Sequence, residues 1–196
     1  GYTFVYRAAD FVNGETATSD SFTTSIATPP VCTTTYVQGT TSSGNSGTYA
    51  ITCLDNTPSS INYNFVAGTP VDLTVAKQTL HVDANVKSIT YGANAPSYSF
   101  TYRAGDFVNS ETASSTTFTG KIATAPSCTS PYVKGTTAAG DAGDYTISCS
   151  VAGSAATNYA FAVGTTNTLT VGKKALRVDA DAQNITYGQN APTYSF

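Results

Sequence analysis

An internal repeat is the feature that most constrains how this chain can fold. Residues 1–100 align with residues 97–196 without a gap, at a constant offset of 96, and 54 of the 100 aligned positions are identical. Cys32 and Cys53, for example, return as Cys128 and Cys149. Self-similarity at one fixed period is typical of proteins built from consecutive copies of one small module. We therefore expect tandem domains rather than one large fold.

The phase of the repeat predicts an unusual division of the chain. The period fits twice into the 196 residues with four left over, so the last four residues match the first four, inside a strand-like segment. Domain boundaries normally fall in exposed linkers. We predict a unit over 1–76 that lacks its first two strands, a complete unit over 77–172, and the first two strands of a following unit over 173–196. Two interpretations stay open: a window of a longer array, or a unit completed by another chain.

The fold class follows from alternating apolar and polar residues. In one clear case, Leu80, Val82 and Ala84 share one face of a predicted strand, and His81 and Asp83 share the other. Several further segments alternate in the same way between turn signals, and no window shows helical periodicity. The sequence therefore predicts an all-β protein of tandem immunoglobulin-like antiparallel β-sandwich repeats. Each 96-residue period would hold roughly seven or eight short strands.

Composition excludes several classes of function. The chain has 35 Thr and 20 Ser, only 11% charged residues and a formal net charge of −3. Nucleic-acid binders need clustered Lys and Arg, which are absent here, so we expect no nucleic-acid partner. No apolar run approaches the roughly 18 residues of a membrane-spanning helix, so we expect no membrane insertion in this segment.

The four cysteines predict two disulfide bonds. Each repeat holds two cysteines 21 positions apart, which makes Cys32–Cys53 and Cys128–Cys149 the simplest pairing. Paired cysteines in a chain rich in hydroxyl groups favour an oxidising, extracellular location. A zinc site would need a C-x-x-C spacing and further ligands, and the sequence has neither.

No residue pattern predicts an enzyme. His81 is the single histidine and its counterpart is Arg177, so a catalytic device that uses histidine could exist in one unit at most. Asp106 and Glu111 repeat Asp10 and Glu15 and are more typical of a turn than of a glycosidase carboxylate pair. We predict no catalytic residue, no cofactor and no metal ligand.

Three weaker hypotheses concern ligands and cross-links. Asp179 and Asp181 form the best candidate pair of carboxylates for calcium, although such sites need six or more oxygen ligands. Lys77 and Asn158 lie at repeated positions where a Lys–Asn cross-link could form. The repeated Tyr36 and Tyr132 would be the aromatic residues of a carbohydrate-binding module, and Tyr132 is the copy within the complete unit.

Several motifs in fixed order resemble a known family. The segments 80–84, 89–102, 106–112, 143–149 and 169–171 are similar to the MBG-type repeats, of the Tyr-Gly variety, of bacterial surface proteins. The likeness extends over essentially the whole chain. It implies β-rich modules strung in long arrays on secreted or surface-anchored, adhesin-like proteins, and it implies no catalytic residues.

The sequence thus predicts a structural repeat module of an extracellular microbial surface protein that builds a long stalk or adhesin array. The alternative is a self-assembling filament subunit, in which residues 174–196 of one chain complete residues 1–76 of the next by β-strand addition. Neighbouring units of the same or identical chains are the expected partners. A host or surface carbohydrate or protein would be bound through other regions.

Overall fold

The computed structural model describes residues 1–54 and 56–193. Its helices are single turns, and its longest elements are strands of seven or eight residues. The two α-helical turns are α1 (Asp20–Thr23) and α2 (Thr116–Thr119). The strands are β1 (Ile26–Thr28), β2 (Cys32–Thr34), β3 (Gly47–Cys53), β4 (Ser59–Ser60), β5 (Val71–Val75), β6 (Gln78–Ala84), β7 (Lys87–Thr90), β8 (Phe100–Tyr102), β9 (Ile122–Thr124), β10 (Ser127–Thr129), β11 (Gly143–Ser150), β12 (Ala155–Ala156), β13 (Tyr159–Val163) and β14 (Asn167–Gly172). The all-β prediction is confirmed.

The strands of residues 77–172 form two main sheets and one short pair. One sheet has the order β10-β11-β14-β7, another β13-β6-β8, and β12 pairs with β9. The longest antiparallel ladder joins β11 to β14, from Gly143 opposite Val171 to Ile147 opposite Asn167. Most pairings are antiparallel, as the sequence predicts for a meander of short strands joined by turns.

Two pairings are parallel, which the sequence analysis did not predict. β6 runs parallel to β13, with Leu80 opposite Phe161, and β7 runs parallel to β14, with Ile89 opposite Val171. Parallel neighbours cannot be joined by a tight turn and need a long connection. Here the chain between the parallel partners comprises most of the unit, so the first two strands of the unit, β6 and β7, pair with its last two, β13 and β14.

The core of residues 77–172 depends on β6. Leu80 and Val82 are 0% exposed and Ala84 is 4% exposed, in agreement with the predicted inward face of this strand. Val82 and Ala84 belong to one buried cluster with Ile147 and Leu169. Leu80 belongs to a second cluster around Phe118. β6 therefore supplies apolar side chains to both clusters.

Residues 1–54 and 56–76 repeat many of these elements but hold no strand that corresponds to β6, β7, β8 or β13. β2, β3 and β5 form one sheet, and β1 pairs with β4. Among the described residues β5 pairs only with β3, whereas its counterpart β14 is flanked by β11 and β7. Leu73 and Val75 are accordingly only partly buried, while their counterparts Leu169 and Val171 are 0% and 2% exposed.

One loop differs between the two halves in a way that affects stability. Asn13 and Gly14 have φ angles of 56° and 71°, and their counterparts Asn109 and Ser110 have 54° and 59°. The left-handed region is unfavourable for a residue with a Cβ atom, by roughly 1–2 kcal/mol, and open to glycine. The second copy therefore holds a serine in a backbone conformation that suits the glycine of the first.

We expect Ser110→Gly to raise the free energy of unfolding by about 0.5–1 kcal/mol, because relief of the left-handed strain exceeds the extra backbone entropy of glycine. Chemical denaturation followed by circular dichroism measures the change. Ala113→Gly in the same loop is the control, since Ala113 has no positive φ and should lose stability instead. Equal effects of both substitutions would contradict the prediction.

Candidate functional site

The single histidine is hydrogen bonded to an aspartate on the outer face of β6. Nδ1 of His81 is 2.8 Å from Oδ2 of Asp106, and the His81 backbone N–H donates to the same oxygen at 2.8 Å. These two hydrogen bonds, the backbone one first, lower the pKa of Asp106. The contact ties β6 to the 3₁₀ turn Ala104–Asp106, at the position where the sequence analysis placed a turn.

An ion pair anchors the end of β6. Nε and Nη2 of Arg103 donate to Oδ2 and Oδ1 of Asp83 at 3.2 and 2.7 Å, a bidentate arrangement. The backbone N–H of Thr165 also donates to Asp83, at 2.7 Å. The Arg103 hydrogen bonds, followed by that from Thr165, lower the pKa of the Asp83 carboxyl. β6 is thereby held to both the residue after β8 and the β13–β14 turn.

The lowered pKa of Asp83 predicts that the fold loses stability in acid. A carboxyl whose pKa is lower in the folded than in the unfolded chain stabilises the fold above its ordinary value of 3.8, and the stabilisation disappears as pH falls below that value. We expect Asp83→Asn to lower the melting temperature at pH 6 and to flatten its decline between about pH 5 and 2.5. Exposed Asp144→Asn is the control in the same thermal melts; if both variants kept the slope of the unmodified protein, the Asp83 pair would not be its source.

The carboxylates considered for calcium do not come together. Asp83, the counterpart of Asp179, is engaged by Arg103, and Asp179 and Asp181 lie in an exposed stretch without described secondary structure. Within residues 1–54 and 56–193, no group of three or more His, Cys, Asp or Glu side chains is arranged to hold a metal ion.

Glu111 is a buried carboxylate that the sequence analysis assigned to a turn. It is 7% exposed, and its Oε2 accepts a 2.8 Å hydrogen bond from the Tyr159 hydroxyl. Burial, together with this carboxylate, raises the pKa of Tyr159 to about 12. Glu15 and Tyr63 form the same hydrogen bond in the first half. Because the glutamate and the tyrosine both recur at aligned positions of the repeat, the sequence contained a clue to this contact. Its role is structural, since it fixes the turn against a strand.

The cysteines face each other across neighbouring antiparallel strands. Cys32 lies opposite Cys53 in the β2–β3 ladder, and Cys128 lies opposite Cys149 in the β10–β11 ladder. The sulfur atoms of each pair are at bonding distance. The structure thus brings together the two pairs that the spacing predicts.

The cross-link and carbohydrate hypotheses find no support in the contacts. Nζ of Lys77 donates to the Ala156 carbonyl at 2.8 Å, and the Asn158 side chain is hydrogen bonded to Asn45 and Ser46. Tyr132 is 3% exposed, and its hydroxyl donates to the Ala93 carbonyl at 2.7 Å. A buried ring cannot act as a sugar platform, so this assignment of Tyr132 is wrong.

An open apolar groove lies in residues 1–76. It has a cavity volume of about 550 Å³ and lies between the counterparts of β13 and β8, the position that β6 occupies in the second half. Its lining includes the aromatic and apolar side chains of Phe4, Tyr6, Phe11, Phe22, Tyr63, Phe65 and Val71. Phe4 and Val71 are 38% and 62% exposed. The sequence analysis predicted two missing strands here but not the aromatic lining.

The rings in the groove already have the arrangement of a filled unit. Tyr6 stacks on Phe65 with ring centroids 5.9 Å apart, and their counterparts Tyr102 and Phe161 stack at 5.6 Å. Tyr6 also meets Phe22 edge to face, as Tyr102 meets its counterpart. A groove whose side chains are already in place loses little freedom when it is occupied.

The segment 173–193 contains the residues that would match this groove. Leu176 and Val178, the counterparts of Leu80 and Val82, are 89% and 83% exposed. No strand is described within these residues. The chain therefore presents both an open apolar groove and an exposed segment of the sequence type that fills such a groove elsewhere in the molecule.

The two halves meet through a polar junction. Nζ of Lys121 donates to Oδ1 of Asn45 at 2.7 Å and to the Thr40 carbonyl at 2.9 Å. Nδ2 of Asn158 donates to the same Asn45 oxygen at 3.0 Å, and the Ser46 N–H donates to Oδ1 of Asn158 at 2.9 Å. These hydrogen bonds fix the orientation of residues 77–172 relative to the preceding half.

The all-β architecture, the cross-strand cysteine pairs and the short link between two similar halves place the protein in the class of β-rich modular proteins. Residues 80–170 match the family model of the MBG domain (YGX type), which confirms the resemblance found in the sequence. This match indicates that these residues form a repeat module of a surface-associated protein. No curated protein and no solved structure matches the chain. The described residues contain no helix that is long and apolar enough to cross a membrane.

Proposed function

We propose that this protein is a structural repeat module of an extracellular microbial surface protein, and that such modules in series build a stalk or adhesin array. The observation that carries the proposal is the complete core of residues 77–172, joined to the preceding half by only Ala76 and Lys77 and by the polar junction at Asn45 and Lys121. Modules that bury their own cores and contact their neighbours add length with each copy. The division into 1–76, 77–172 and 173–196 is part of the proposal.

Arrays made by adding increasing numbers of copies of residues 101–196 to the full chain test this function, because this addition continues the 96-residue repeat in phase. We expect the particle length in negative-stain images to grow by roughly 25 Å or more for each added copy, since the eight residues of β11 span about that length at the strand rise. Compact particles whose length does not follow the number of units would contradict the proposal.

The junction can be tested in the natural chain. We expect Lys121→Ala to broaden the distribution of end-to-end distances in small-angle X-ray scattering, because the side chain bridges Thr40 and Asn45. Lys134→Ala, at an exposed position, is the matched control. If both variants gave the scattering curve of the unmodified chain, the junction would not orient the units.

A second candidate function is that of a self-assembling filament subunit. The open groove of residues 1–76 and the exposed Leu176 and Val178 favour it, because a strand segment of one copy can complete another. Light scattering and negative-stain microscopy of the oxidised chain test it, with residues 77–172 as the comparison. Fibres from the full chain alone support a filament, and monomers at every concentration contradict it.

A further inference from the structure

We propose that residues 77–172 bear tensile load, and that the parallel pairing of their first and last strands is the mechanical clamp that resists it. The inference builds on the modular function proposed above, because modules in series pass a pulling force from one to the next through the chain. It adds a property that a spacer of the same length does not need. The chain continues on both sides of these residues, so a pull reaches them at Lys77 and at Gly172.

The first and last strands of this unit lie side by side over most of their length. β6 and β13 pair in parallel over five residues, beginning with Gln78 opposite Tyr159. β7 and β14 pair in parallel over four residues, ending with Thr90 opposite Gly172. β6 leads into β7 after two residues and β13 leads into β14 after three, so the two ladders follow one another in the same direction.

A pull on the two ends of the unit loads this pairing in shear. The force enters at Gln78, the first residue of β6, and leaves at Gly172, the last residue of β14. These two points lie at opposite ends of a parallel pairing, so the strands are pulled along their axes in opposite directions. The evenly spaced hydrogen bonds between them then share the load and break together. Antiparallel terminal strands would receive the load at one end and open bond by bond.

Side chains reinforce the clamp where its two ladders meet. Oδ1 of Asp83 in β6 accepts the backbone N–H of Thr165 at 2.7 Å, and Arg103 holds the same oxygen at 2.7 Å. Nδ2 of Asn167 donates to the Ala84 carbonyl at 3.1 Å. Each of these hydrogen bonds from Thr165 and Asn167 crosses from the last strands to the first, so it carries load together with the backbone bonds.

Gly164 brings the two backbones into close contact at the same place. Its N–H donates to the Val82 carbonyl at 3.0 Å. A Cβ atom added to Gly164 would lie 2.8 Å from that carbonyl oxygen and would also meet Oδ1 of Asp83. The Asp83 side chain can rotate away, but the backbone of β6 is fixed by its neighbours on both sides. A methyl group at residue 164 would therefore wedge the clamp open.

The first test changes the direction of pulling. Optical tweezers stretch the full oxidised chain from exposed Ala76 either to the C-terminal end or to exposed Thr157, with azide-bearing amino acids as attachment points. Residues 1–76 carry no load in either arrangement. In the second arrangement both forces enter at the start of β6 and β13, so the ladder unzips. We expect an opening force higher by about twofold or more in the first arrangement, and equal forces would overturn the clamp.

The second test compares changes inside and outside the clamp. Gly164→Ala should lower the opening force by about a third or more, because forced unfolding follows the barrier and the clamp must break to cross it. The double substitution Cys128→Ala and Cys149→Ala lies in β10 and β11, outside the clamp, and is the matched control. It should leave the opening force nearly unchanged while its melting temperature falls. Forces that follow the melting temperatures of the variants, rather than the positions of the changes, would overturn the proposal.

These force measurements are independent of the test of the modular function, which is the length of covalent arrays. A unit that opens at equal force in both directions would lose the clamp and keep the stalk. Arrays that fail to lengthen would contradict the stalk and leave a measured clamp in place.

Discussion

Leu80→Ala is expected to lower the free energy of unfolding of residues 77–172 by about 2–5 kcal/mol. Leu80 is 0% exposed and packs with Phe118, Ala156 and Tyr159 in one of the two buried clusters. The substitution removes apolar contacts and leaves a cavity that the hydrogen bonds of β6 to its two neighbours prevent from closing. Urea denaturation followed by near-ultraviolet circular dichroism, which reports on the tyrosine environments, measures the loss.

Leu176→Ala is the matched control, because it makes the same change at the same phase of the repeat. Leu176 is 89% exposed, so we expect a change within about 0.5 kcal/mol in the monomer. Comparison of the two variants separates the effect of the leucine-to-alanine change itself from the effect of burial. A loss below about 1 kcal/mol for Leu80→Ala would show that β6 is not an integral part of the second core.

The local structure of β6 could be predicted from the sequence, because the alternation of apolar and polar residues over five neighbouring positions is enough to predict a strand and its buried face. Leu80, Val82 and Ala84 point inward, and His81 and Asp83 point outward, as the pattern requires. The parallel partners of β6 and β7 could not be predicted in this way. Alternation assigns a face to each side chain but does not identify the strand beside it, and the partners are about 80 residues away.

The site was only partly predictable for the same physical reason. The phase of the repeat predicts that residues 1–76 hold no counterpart of β6, and the groove lies at the position of β6, between the counterparts of β13 and β8. Its aromatic lining depends on which rings the fold collects from four separate segments, and no local pattern contains that information. The Arg103–Asp83 and Tyr159–Glu111 contacts likewise join distant residues, and of the two only the second is seen again, between Tyr63 and Glu15, among the described residues.

Removal of the Cys128–Cys149 bond is the second large effect that we expect. The double substitution Cys128→Ala and Cys149→Ala should lower the free energy of unfolding of residues 77–172 by roughly 3 kcal/mol, since an open chain of about 20 residues gains loop entropy when it unfolds. Loss of two nearly buried side chains adds to the effect, as Cys149 is 7% exposed and packs in the core with Ile147. Thermal denaturation of the oxidised variant and of the unmodified chain, with mass spectrometry to verify the bonds, measures the difference.

The matching change in the first half, Cys32→Ala with Cys53→Ala, shows whether the two halves unfold independently. Both bonds close loops of equal length, because each joins residues 21 positions apart. If the halves are separate cooperative units, each double variant should lower one transition and leave the other in place. The first half has no strand in the place of β6 among its described residues, so its transition should be the lower one in the unmodified monomer. A single transition that both double variants shift equally would instead make the two halves one folding unit.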